Sequence, residues 1–161
     1  MDKSRLFIGG LLAGLALVQA GYSQAAGTIV IYENMEGFTC SIPAETAPDG
    51  GPKDYILSNY SCTNDQAYFT SLNDADSALT ITYFDDKFDG FPGFPPKCLD
   101  NEGWEIELLT VKQPTSTEKI NLASIADASN GSIIAPGLMK VRFRPGNDVK
   151  GKLSCIRVER K

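Results

Sequence analysis

Apolar and polar side chains alternate with a period of two in several short runs of this chain, and these runs are rich in β-branched and aromatic residues. That pattern marks strands with one buried face. The clearest run is Met139 to Arg144, which would set Met139, Val141 and Phe143 on one side and Lys140, Arg142 and Arg144 on the other. Thr28 to Tyr32, Ala78 to Phe84, Trp104 to Thr110 and Ser154 to Arg160 follow the same rule. Between the runs lie breaker clusters: residues 47–52, the Gly90-Phe91-Pro92-Gly93-Phe94-Pro95-Pro96 segment, residues 135–137 and residues 145–148. Ile120 to Ala128 carries Ala, Leu and Ile three and four apart and predicts one short helix. Short strands separated by tight turns predict an all-β fold, an antiparallel two-sheet sandwich with at most one short helix.

The N-terminus departs from this pattern. Lys3 and Arg5 precede an apolar run from Leu6 to Val18, and small residues lead to Ser23-Gln24-Ala25. A basic end, a short apolar core and a small-residue cleavage site are the parts of a secretory signal, so cleavage after Ala25 is expected. The run is shorter than the ~20 residues a membrane helix needs, and no later segment approaches that length. The expectation is a chain exported to the periplasm or beyond, with residues 26–161 forming one domain that has no transmembrane segment.

Export changes how the four cysteines read. Cys40, Cys62, Cys98 and Cys155 all lie in the mature part, and an even count in an exported chain predicts two disulfides. Three connectivities are possible; Cys40 with Cys62 and Cys98 with Cys155 is the expected one, a staple for each half of the domain. With no CxxC spacing and no histidine, a zinc site of the usual kind is not available.

Removing Asp2, Lys3 and Arg5 with the leader gives a mature net charge of −6, against −5 for the whole chain. Bulk nucleic-acid binding, which rests on phosphate neutralisation by Lys and Arg, is therefore not expected. Basic groups concentrate at the C-terminal end, where Lys140, Arg142, Arg144, Lys150 and Lys152 form a candidate basic patch. Two arrangements fit this asymmetry: a binding face, or basic strands lying beside acidic ones in one sheet.

Tyr83-Phe84-Asp85-Asp86-Lys87-Phe88-Asp89-Gly90 places two aromatics and a glycine at the spacing found in the opening hairpin of a βγ-crystallin Greek key, and resembles it. Thr28 to Phe38 resembles a degenerate first copy. Asn64-Asp65 leading to Phe69-Thr70-Ser71-Leu72, and Asn147-Asp148 leading to Leu153-Ser154-Cys155-Ile156, resemble the closing part of the motif. Opening and closing elements alternate in the order of a two-motif domain, with residues 101–135 expected to be an insertion. The resemblance implies a double Greek-key sandwich, and it implies calcium as a possible ligand. The carried-over candidates are Asn64, Asp65, Thr70 and Ser71 in the first motif and Asn147, Asp148 and Ser154 in the second. Calcium takes six to eight hard oxygens, and the same Asp and Asn residues also suit turns that bond their own backbone.

Without histidine, Ser-His-Asp and Cys-His nucleophiles and histidine general bases are excluded, and oxidised cysteines leave no thiolate. The remaining suggestive cluster is Glu102, Glu105 and Glu107 around Trp104. Alternation puts Glu105 and Glu107 on one face of a strand opposite Trp104 and Ile106, which is how an ordinary strand with a solvated face looks. No enzymatic activity is expected. The expected function is a protein-binding module of the bacterial envelope, an inhibitor or immunity-type factor. Its candidate contact loop is Gly90 to Pro96, with Phe91 and Phe94 as anchors or, alternatively, as core residues. A calcium-stabilised structural protein and a toxin acting at anionic envelope surfaces through the basic patch are the other readings.

Overall fold

In the computed structural model, residues 27–37, 40–63, 66–99, 103–146, 148–149 and 151–161 are described. The expected cleaved leader, residues 1–25, lies outside them.

Twelve strands form in chain order: β1 (Thr28–Tyr32), β2 (Cys40–Pro43), β3 (Lys53–Ile56), β4 (Phe69–Asn73), β5 (Leu79–Phe84), β6 (Lys87–Phe88), β7 (Lys97–Cys98), β8 (Glu105–Thr110), β9 (Ile120–Asn121), β10 (Ile133–Ala135), β11 (Leu138–Arg144) and β12 (Cys155–Arg160). Helix α1 (Leu122–Asp127) and a single 3-10 turn at Leu57–Tyr60 complete the described secondary structure. The helix starts where Asn121 accepts hydrogen bonds from the Ala123 and Ser124 N–H groups at 2.8 and 3.3 Å, a side-chain cap on otherwise unpaired donors.

All strand pairings are antiparallel. One sheet has the order β2-β1-β4-β9 and the other β10-β11-β8-β5-β12-β3, with β6 and β7 forming a separate two-stranded ribbon. The order carries a symmetry. Strands β1, β2 and β4 lie together while β3 crosses to the far edge of the other sheet; β5, β8 and β12 lie together while β9 crosses back to pair with β4. Two Greek keys thus each give their third strand to the other's sheet. The exchange leaves one core: Ile29, Ile31 and Leu72 from the first sheet meet Tyr55, Ile81, Ile106 and Ile156 from the second. Trp104 belongs to this core and is fully buried.

This order relocates the expected insertion. Within residues 101–135, β8 and β9 are integral strands of the second key. The additions are the β6–β7 ribbon, between β5 and β8, and the α1–β10–β11 excursion, whose last strand widens the larger sheet beside β8.

The alternation expected for Met139 to Arg144 also breaks. The β11–β8 register runs Lys140 to Leu108 and then Arg142 to Glu107, so Val141 is an extra residue in a bulge. One extra residue reverses which face the following side chains take. Lys140 therefore shares the inner face with Leu108 and Phe143, and Met139 faces out.

Candidate functional site

The segment that stands apart from the sandwich is the β6–β7 arm. Its base is fixed in several ways. Cys98 is joined to Cys155 on β12, while Cys40 is joined to Cys62, the expected pairing. Cys98 and Cys155 pack with Ile56 and Phe84 in a small buried cluster, separate from the main core because these residues alternate with inward-facing Tyr55, Tyr83 and Ile156. The Cys98 N–H donates to Asp54 Oδ2 at 2.9 Å, and the same carboxylate accepts from Arg157 Nε and Nη2 at 2.6 and 2.8 Å. A two-pronged arginine–carboxylate pair holds its geometry better than a single contact.

The far end of the arm is a tight turn. Phe91 N–H donates to Phe94 O at 3.1 Å, and Phe94 N–H donates to Phe91 O at 2.8 Å. Pro92 and Gly93 sit between them, with Gly93 at φ +91. Proline followed by a positive-φ glycine is the sequence of a type II turn. Gly90, at φ +79, fixes the entry: a Cβ there would lie 2.7 Å from Phe94 O and 2.9 Å from Pro96 N. The glycine of the βγ-crystallin-like spacing therefore occupies a position that excludes a side chain on two counts.

Every residue from Phe91 to Lys97 is exposed, and Phe91 and Phe94 retain 57% and 59% of their full accessibility. They are therefore not core residues. Their ring centroids are 4.6 Å apart, and Phe88 meets Phe91 edge-on at 5.6 Å. The rings prop one another outside the sandwich.

The other candidate residues are scattered. Lys140 is not part of an exposed patch: it is 1% accessible, and its ammonium donates to the carbonyls of Ala126, at 2.6 Å, and Ala128. Those carbonyls close the last turn of α1, where helical partners run out. Burial lowers the Lys140 pKa, opposed by Asp127. Arg142 pairs with both Glu105 and Glu107, and Arg144 reaches Glu105 at 3.0 Å. Basic β11 thus lies against acidic β8, and the two arginines do not stand as unpaired cations. The pair Glu105 and Glu107 is likewise taken up in ion pairs. Lys152 is exposed; Lys150 and Glu102 lie outside the described residues.

Of the calcium candidates, Asn64, Asp65 and Asn147 lie outside the described residues, and Asp148 is exposed. Thr70 and Ser71 are adjacent on β4 and point to opposite faces. Thr70 is buried, with its hydroxyl 3.0 Å from the Tyr83 hydroxyl across the core, and Ser71 bonds the Tyr32 hydroxyl at 3.0 Å on the outer side. The two hydroxyls cannot converge on one ion. Ser154 is buried and its N–H donates to Phe84 O. Among the described residues no three acidic or cysteine side chains are grouped so as to hold a metal ion, and no helix is long and apolar enough to cross a membrane.

Sequence reasoning missed what fixes the arm. Asp54 and Arg157 are 103 positions apart and meet only because β3 crosses to pair with β12; nothing local signals that.

No protein-family model, no curated protein and no solved structure matches this chain. Its fold and site define a disulfide-stapled antiparallel β-sandwich that carries an exposed aromatic turn on a fixed arm.

Proposed function

We propose that this chain is an exported, non-enzymatic binding module of the bacterial envelope, of the inhibitor or immunity type, and that the arm tip is its contact element. The observation that carries the reading is the exposure of the paired Phe91 and Phe94 rings on a turn whose base is anchored by a disulfide and a bidentate ion pair. Exposed aromatic side chains are favoured anchors of binding surfaces, and a preformed turn loses little conformational freedom when it docks. The two disulfides agree with export, since such bonds persist in oxidising compartments. The exchange of third strands between two Greek keys supports relating the chain to βγ-crystallin-like domains.

The test is the double variant F91S/F94S. Its melting temperature is expected to stay within a few degrees of the wild type, because surface changes away from the core move stability little, while its association with an envelope fraction is lost. A large fall in melting temperature, or unchanged association, would overturn the assignment of the tip as contact element.

A further inference from the structure

The composition of the tip goes further than an aromatic pair. Residues 90–96 contain no charged side chain and no side chain that can hydrogen-bond. Three of the seven are prolines without an N–H, and of the four N–H groups that remain, those of Phe91 and Phe94 are already bonded to each other's carbonyls. A segment enters a layer poor in water more readily the more of its backbone groups are satisfied internally, and at the turn itself the N–H and C=O groups of Phe91 and Phe94 satisfy each other. A protein partner is normally recognised through directional polar contacts at the rim of an apolar centre; residues 90–96 offer no side chain for them.

Area points the same way. Two phenylalanines at 57% and 59% exposure present on the order of 200 Å² of apolar surface. A stable protein–protein interface takes roughly 800 Å² from each partner. A lipid surface needs no matching shape and accepts a small apolar tip. Lys97, exposed directly after the apolar segment, stands at the neck, where a long cationic side chain can reach headgroup phosphates.

We propose that the tip inserts Phe91 and Phe94 into the interfacial layer of a phospholipid bilayer, holding the sandwich at a membrane face. This rests on the reading of the arm as the contact element, and it makes the tip's contact lipid rather than the protein that an inhibitor or immunity factor engages. Because the rings supply the attraction and the basic strand is paired with acidic β8, association occurs on uncharged membranes and depends weakly on salt.

The experiment uses the mature oxidised protein with phosphatidylcholine vesicles, and a parallel set containing phosphatidylglycerol. A single F94W variant reports depth through quenching by lipids labelled along the acyl chain; the native Trp104, fully buried, is the internal unquenched control. Co-sedimentation with phosphatidylcholine vesicles is expected, with quenching of the tip tryptophan from shallow label positions. F91S/F94S is expected to weaken vesicle binding at least about tenfold, from the loss of two apolar side chains. Absence of binding at millimolar lipid overturns the proposal, as does binding that F91S/F94S leaves intact or that appears only on phosphatidylglycerol and vanishes with salt. If vesicles are not bound but envelope association still requires Phe91 and Phe94, the tip's partner is a protein and the contact-element reading survives. If envelope association is also indifferent to both rings, that reading falls as well.

Discussion

Asp85 packs its carboxylate so closely on the second key that a Cβ on Gly103 would lie 1.3 Å from Asp85 Oδ1. That oxygen is buried without a hydrogen-bond partner. Burial raises the Asp85 pKa, and Asp86 adds to the rise, while hydrogen bonding from the Trp104 backbone and the charge of Lys152 oppose it. A carboxyl whose folded pKa is raised favours the folded state while protonated and loses that contribution as pH rises through the folded value. At pH 7 the ionised group is therefore a liability. D85N is expected to melt higher than the wild type at pH 7, with the gain shrinking as pH falls and gone below the unfolded value of about 3.9. A gain independent of pH would show that charge is not the cause. Lys140 shows what single residues conceal. Its alternation with Met139 and Val141 reads as solvent-facing, yet the bulge at Val141 turns it inward to bond the Ala126 carbonyl. A bulge leaves no compositional mark, so this reversal was not legible in the sequence.

Elements were legible where the period-two pattern was long. Thr28 to Tyr32 forms β1, and the runs expected at 78–84, 104–110 and 154–160 form β5, β8 and β12, each starting one residue later. The short helix falls inside the expected stretch, and the Gly90 to Pro96 breakers form the turn. The short strands β2, β3, β9 and β10 were not legible, because two to four residues carry too little pattern and are held by partners distant in sequence. The arm shows how long-range chemistry fixes a short element. Cys98–Cys155 spans 57 residues and Cys40–Cys62 spans 22; in the chain-entropy model, removing the first costs about 0.8 kcal/mol more than removing the second. Burial of Cys98 and Cys155 with Ile56 and Phe84 adds to that difference. Chemical denaturation of C98A/C155A and C40A/C62A is expected to rank them in that order. The reverse ranking would show that the arm's base contributes little to the fold.

The whole molecule separates scaffold from contact. Exchange of β3 and β9 ties the two keys through one core, and the acidic and basic halves of the chain meet within the larger sheet, where Glu105 and Glu107 lie opposite Arg144 and Arg142. The basic residues of β11 are thereby paired within the sheet rather than gathered in a free basic face, and the exposed aromatic pair lies apart on the arm. Oxidative labelling of the mature protein read by mass spectrometry tests this most directly. Phe91, Phe94 and the exposed Met35 are expected to label readily while Trp104 stays silent, and added envelope membranes are expected to protect Phe91 and Phe94 but not Met35. Failure of the two phenylalanines to label in the free protein, or equal labelling with and without membranes, would contradict the account.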